Sequence, residues 1–347
     1  MTDGGTRSAW AIDKKFDLLF FIGPVLAGLV YFAAAVNFPE FSLILTLLIW
    51  MVFAQGHFGS TWFIYADKKN RAYFSEHALV YFVIPALIFA LVFLIGYAHF
   101  ALLLVLISVV SLYHVSRQSI GILAIYRGKN GERNAFDRKV EEMTIFAWSL
   151  FFAGYGALHI PHFMQFVVIL PLAKLGVAVL FGCALVGTLL IVIAAFRRER
   201  NSLPKSTFLL VSCLTYLPYI YATPLMERVQ NFEIAGLIAL VPHYMQYMGL
   251  VWLVDVNKYK EGTEYAHDNP FLAWVVANKV RIFALIMLYG AAMGFIYYGV
   301  PATLPLLGVI GPLVVSALMM IHFYIDAFIW RFGNPFYRET VLPFVRR

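Results

Sequence analysis

"ALLLVLISVVSLYHVSRQSIGILAIY", residues 101–126, decides the fold class of this chain. Arg117 is its single formally charged side chain. At ~1.5 Å of rise per residue, a helix over this run is longer than the roughly 30 Å hydrocarbon core of a bilayer. Comparable apolar runs recur from Phe16 to Trp330, in a chain of 347 residues that is 62% hydrophobic and 13% charged. Soluble helices are mostly shorter and keep a polar face, so this composition argues against an ordinary globular core. The pattern predicts an all-α, polytopic integral membrane bundle with spans over residues 17–37, 42–65, 77–97, 101–126, 142–160, 166–196, 206–226, 233–254, 281–299 and 304–330.

Charge sets the expected orientation. With the N-terminus cytoplasmic, the inner side receives Lys14 and Lys15, "KKNR" at 68–71, the 127–139 loop, "RRER" at 197–200, the 255–281 loop and the C-terminus. The outer side receives little positive charge beyond Lys174 and Arg228. Both termini are therefore expected in the cytoplasm. The net charge of +7 is accounted for by these clusters, so nucleic acid is not an expected partner, whereas membrane lipids are. The polar first sixteen residues precede a long apolar run without a small-residue cleavage site, which reads as a retained helix.

The longest segments outside the spans, 127–141 and 255–280, are too short for a soluble domain. A single membrane domain over 1–347 is expected, with a cytoplasmic N-terminal segment (1–16) and tail (331–347). "YRGKNGERNAFDRKVEE", 126–142, reads as a solvated connector, and it lacks the context of a phosphate loop. Cys183 and Cys213 are isolated in apolar runs, which disfavours a disulfide framework or zinc knuckle.

Four spans carry a histidine within the run: "QGHFGSTW" (His57), "LYHVSRQS" (His114), "PHYMQYMG" (His243) and "IHFYIDAF" (His322). All four run outward to inward under this topology. Basic residues follow at Lys68, Arg127, Lys258 and Arg331, placing the histidines roughly 14–23 Å from those ends, at a depth where they can converge. Gln118, Gln246 and Asp326 follow their histidines by three or four residues and share a helix face with them. Arg117 adds a charge where exposure to lipid is costly. Separate interhelical hydrogen bonds are the plain alternative. His99, His159, His162 and His267 read as interfacial or solvated, and His77, beside Glu76, as a fifth candidate member.

Neutral imidazoles from several helices suit iron, copper or zinc, and a carboxylate or amide nearby can fix the ring tautomer. The candidate metal ligands are thus His57, His114, His243 and His322, with Asp326, Arg117, Gln118 and Gln246 as candidate catalytic residues. "HFG" at 57–59, "PH" at 242–243 and the His-x-x-x-Asp of His322 and Asp326 resemble fragments of the Brp/Blh family of bacterial membrane carotene dioxygenases. The resemblance covers about a tenth of the chain. It implies Fe(2+) held by His57, His243 and His322 with His114 as a fourth ligand, an apolar isoprenoid lipid substrate, oxidative cleavage, and a bacterial inner membrane. The family's early Pro-His-Gly helix is missing, since "FFIGP" has no histidine, and ten spans exceed the number expected for the family.

The same residues permit a metal-free chemistry. Asp326, paired with His322, can serve as a Brønsted acid toward an alkene, with Trp62, Tyr126, Trp252, Tyr324 and Trp330 available to stabilise a carbocation. That chemistry is similar, by analogy, to hopanoid-modifying enzymes of the tetrahymanol synthase type. A proton-coupled transporter is a third reading, with hinges at "FIGP" (21–24), "TYLPYIYATP" (215–224) and "YYGVPATLP" (297–305).

Overall fold

The computed structural model describes residues 9–159, 170–197, 203–216, 232–299 and 308–345. Arg228, most of "RRER", "TYLPYIYATP" beyond residue 216 and "YYGVPATLP" beyond residue 299 lie outside the described residues. All regular structure described is helical. Seven described helices are long and apolar enough to cross a membrane: α1 (Lys14–Ala35), α2 (Ile44–Ala66), α3 (Leu79–Ala98), α4 (Phe100–Asn130), α6 (Pro171–Phe196), α9 (Lys279–Tyr297) and α10 (Ile310–Ile329). Helices α5 (Ala135–His159) and α8 (Phe232–Lys258) overlie the expected spans 142–160 and 233–254 without being among those seven, and α7 (Leu203–Leu214) covers only the first part of 206–226, of which 217–226 lies outside the described residues. Many large apolar side chains on these helices face outward, including Leu94, Leu106, Val186, Phe196 and Leu288, as expected of helices in a hydrocarbon solvent.

The chain gathers into two compact units, residues 1–45 with 111–243 and residues 46–110 with 244–347. Helices α4 and α8 each carry residues of both.

In the first unit, α5 and α6 approach through small residues: a Cβ added at Gly154 would meet Val177 Cγ2 at 2.7 Å, and Gly187 abuts Thr144. Buried Trp148 donates its indole N–H to Thr188 Oγ1 at 2.9 Å. The middle of the 126–142 segment is largely exposed, as expected of a solvated connector, but Tyr126, Arg127 and Glu141 near its ends are buried. Helix α4 continues to Asn130, Gly131 takes a positive φ of 68°, and α5 begins at Ala135. The Lys205 ammonium is fully buried and donates to Glu141 Oε1 at 2.8 Å and to Glu132. Arg127, also buried, reaches Glu141 at 3.2 Å and Glu142 at 3.1 Å. The opposite charges neutralise one another inside the protein, whereas charge content by itself reads as solvent exposure.

In the second unit, α2 and α9 pack backbone to backbone. A Cβ at Gly56 would meet Ile286 Cγ2 at 2.7 Å, one at Gly59 would meet Tyr289 Cδ1 at 2.6 Å, and Gly290 faces the Met51 carbonyl. Small residues of this kind permit close helix packing in membranes. Val92, Leu103, Leu313 and Ala317 form an apolar core shared by α3, α4 and α10.

Charged and aromatic groups secure the ends of these helices. Asp67 caps the helix Lys68–Glu76 through Asn70 N at 2.9 Å, accepts from Tyr259 OH at 2.6 Å and pairs with Lys258 Nζ at 3.0 Å. Burial would raise the Asp67 pKa, but the Lys258 charge and the donated hydrogen bonds outweigh it and hold the carboxyl below its ordinary range. The tail folds back through Pro335–Thr340. Phe336 stacks on Tyr73 with centroids 3.9 Å apart, Tyr337 OH donates to Tyr81 OH at 2.7 Å, and Asn334 Nδ2 donates to Tyr73 OH at 3.0 Å.

Candidate metal centre

His57 follows a π-helical turn, Trp50–Ala54, and stands on the wholly buried α-helical turns Gln55–Thr61. The i→i+5 pairing of a π turn disturbs the regular ladder and is frequent at functional sites. His57 Nδ1 lies 2.7 Å from Ala54 O. A carbonyl can only accept, so the proton is on Nδ1 and the neutral ring keeps its lone pair on Nε2. The Gly56 and Gly59 contacts with α9 hold this turn in place.

His322 comes from the buried face of α10, and its ring meets His57 edge-on with centroids 4.6 Å apart and planes at 85°. Phe58 packs on His322 at 4.9 Å and Tyr244 on His57 at 4.6 Å. Asp326 Oδ2 lies 3.6 Å from His322 Nε2, too far for a hydrogen bond. Its Oδ1 accepts from Tyr247 OH at 2.7 Å. Thr61 Oγ1 lies 2.6 Å from Tyr247 OH and 2.8 Å from His322 Nδ1.

A second histidine pair has similar ring geometry. His114 and His243 meet edge-on with centroids 4.8 Å apart and planes at 85°. Pro242 lies inside α8 immediately before His243, removing one backbone donor from the helix ladder. Gln118 Nε2 donates to the His243 carbonyl at 3.0 Å. Gln246 is buried, whereas Arg117 is exposed and so does not share the enclosed surroundings of His114.

His57 and His322 are buried side by side in the second unit, and buried imidazoles of this kind could hold a metal ion. His114 and His243, also buried, belong to the first unit. His77 is exposed, its Nδ1 2.9 Å from the Tyr73 carbonyl.

Of the aromatics named from the sequence, Trp330 packs on Tyr247 with centroids 6.1 Å apart. Trp62 donates to Tyr289 OH at 2.9 Å, Tyr126 packs on Phe208 and Phe21, Tyr324 packs on Phe328, and Trp252 lies under Lys279. Thr61 and Tyr247 were not identified from the sequence. Each stands four residues after a histidine, Thr61 after His57 and Tyr247 after His243, as Gln118 and Asp326 follow His114 and His322. That i,i+4 register is the signal that could have found them. Comparison with protein-family models, with curated proteins and with solved structures returned no match to this chain.

Proposed function

We propose that this chain is an integral membrane enzyme that holds a divalent metal, Fe(2+) by preference, with His57 and His322 among its ligands and uses dioxygen to oxidise or cleave an apolar isoprenoid lipid. The observation that carries the reading is the buried pair of imidazoles, His57 and His322, on helices with apolar outer surfaces. An imidazole set with a carboxylate at its edge suits iron, and neither cysteine belongs to the group. The metal would supply Lewis acidity and a place for dioxygen chemistry. The chain's residues would do the rest: Phe58, Tyr244 and Phe323 exclude water from the rings, and Asp326 offers a carboxylate oxygen beside His322 Nε2. The short-motif resemblance to the Brp/Blh carotene dioxygenases supports the isoprenoid substrate class, and the apolar helices support a multi-pass membrane location.

The test is metal analysis of the purified protein, joined to lipid extraction from a host expressing it with and without oxygen. The expected result is a bound metal and a new isoprenoid product that needs oxygen and disappears with His322→Ala. A metal-free protein giving its product regardless of oxygen would overturn this reading. It would favour acid-catalysed hydration or ring rearrangement of a polycyclic triterpene, for which buried Asp326, beside Tyr247 and near Trp330, would be the acid.

A further inference from the structure

Four polar groups of the second unit form one chain: Asp326, Tyr247, Thr61 and His322. With the Tyr247 hydroxyl donating to the Asp326 carboxylate, each further proton in the chain has one direction. Asp326 Oδ1 accepts, so the Tyr247 hydroxyl, 2.7 Å away, spends its one proton there. The Tyr247 oxygen is then an acceptor toward Thr61 Oγ1 at 2.6 Å, which takes the single Thr61 proton. With that proton spent, Thr61 Oγ1 can only accept from His322 Nδ1 at 2.8 Å. If Thr61 turned its proton to Nδ1 instead, the 2.6 Å contact with Tyr247 would set lone pair against lone pair.

The consequence falls on the other side of the ring. A neutral His322 with its proton on Nδ1 has its lone pair on Nε2, the same tautomer that the Ala54 carbonyl imposes on His57. Two buried rings 4.6 Å apart are thus set by unrelated devices, a backbone carbonyl and a side-chain relay, to offer the same nitrogen. We propose that Thr61 and Tyr247 are positioning residues that lock His322 in its Nδ1–H tautomer and thereby present Nε2 to a divalent metal. This rests on the metal reading above and adds to it: the carboxylate acts on the far side of the ring, through two hydroxyls. Such outer partners orient a ligating imidazole and raise its basicity.

The test uses the full chain, purified in detergent. Co(II) titration followed by d–d absorption gives affinity and coordination, and Cu(II) loading with pulsed EPR reads the remote Nδ1 of a ligating imidazole. Thr61→Val keeps the shape and removes the hydroxyl, Thr61→Ser restores it, and Tyr247→Phe breaks the relay one step further out. The expected result is a loss of Co(II) affinity of about 10–100-fold in Thr61→Val and Tyr247→Phe, with a changed remote-nitrogen signal, and near wild-type behaviour in Thr61→Ser. Size-exclusion profiles establish which variants fold, and if Thr61→Val does not, Tyr247→Phe and Thr61→Ser decide. Unchanged affinity and remote-nitrogen signal in Tyr247→Phe and Thr61→Val, with His322→Ala losing the metal, would overturn the relay and leave the metal site standing. Wild-type protein that binds neither ion, or binds them independently of His322, would overturn the metal reading and the relay with it.

Discussion

The chain builds the same histidine pair twice and surrounds it differently. His114 with His243 and His57 with His322 both meet edge-on at 85°, with centroids 4.8 Å and 4.6 Å apart. Beside the first pair, the described amide contact runs from Gln118 to the His243 backbone. Beside the second, a hydroxyl chain from a carboxylate ends on a ring nitrogen. Ring geometry is therefore a poor guide to chemical role, because what fixes a tautomer is the partner at the second nitrogen.

Breaking the pairs one ring at a time gives the largest expected effects. His57→Ala and His322→Ala should each abolish stoichiometric metal in the purified protein and remove the product. His243→Ala should leave the metal bound, since His243 belongs to the other pair, in the first unit. Inductively coupled plasma analysis of the three variants makes the comparison, and equal loss in all three would erase the distinction between the pairs.

Altering the surroundings sharpens the same contrast. Asp326→Asn is expected to weaken metal affinity about 10–100-fold, and Gln118→Ala to change it less than about 3-fold, because Gln118 reaches the backbone of His243 and not its ring. Titration with Co(II) reads both.

Away from the pairs, Asp67→Asn strands the buried Lys258 ammonium and should cost on the order of 3 kcal/mol, read as a lower unfolding midpoint in detergent. The sign of its pH dependence follows from the lowered pKa. Stability from this carboxylate is fully present above the unfolded value of about 4 and is lost as pH falls through the lower folded value. Acid should therefore narrow the gap between wild type and Asp67→Asn below about pH 4. The smallest effect is expected from Gly154→Ala, which presses a methyl against the Val177 side chain; about 1–3 kcal/mol of overpacking should appear in the same unfolding assay.

Hydropathy made the spans legible because a bilayer imposes length and apolarity together, and α1–α4, α6, α9 and α10 answer that demand. The ends of the 126–142 segment were not legible, since Arg127, Glu141 and Lys205 are buried by pairing that sequence does not display. His57, His114 and His322 stood out as polar residues in apolar runs. Thr61 did not, because a hydroxyl on a membrane helix commonly bonds its own backbone, as Ser60, Ser116 and Thr188 do here. Its partners lie 186 and 261 residues away, beyond any local pattern.

That separation has a meaning for how the protein is made. Thr61 waits for His322 across 261 residues, and Tyr73 waits for Asn334 across the same interval. At about 5–20 residues per second, roughly a quarter of a minute to a minute of synthesis passes before either contact can form. The histidine relay and the aromatic clasp of the tail are thus completed at the same late moment, as the last helices leave the ribosome. A chain halted before α10 would have inserted most of its helices while lacking both, so metal acquisition would be confined to chains whose translation is nearly finished.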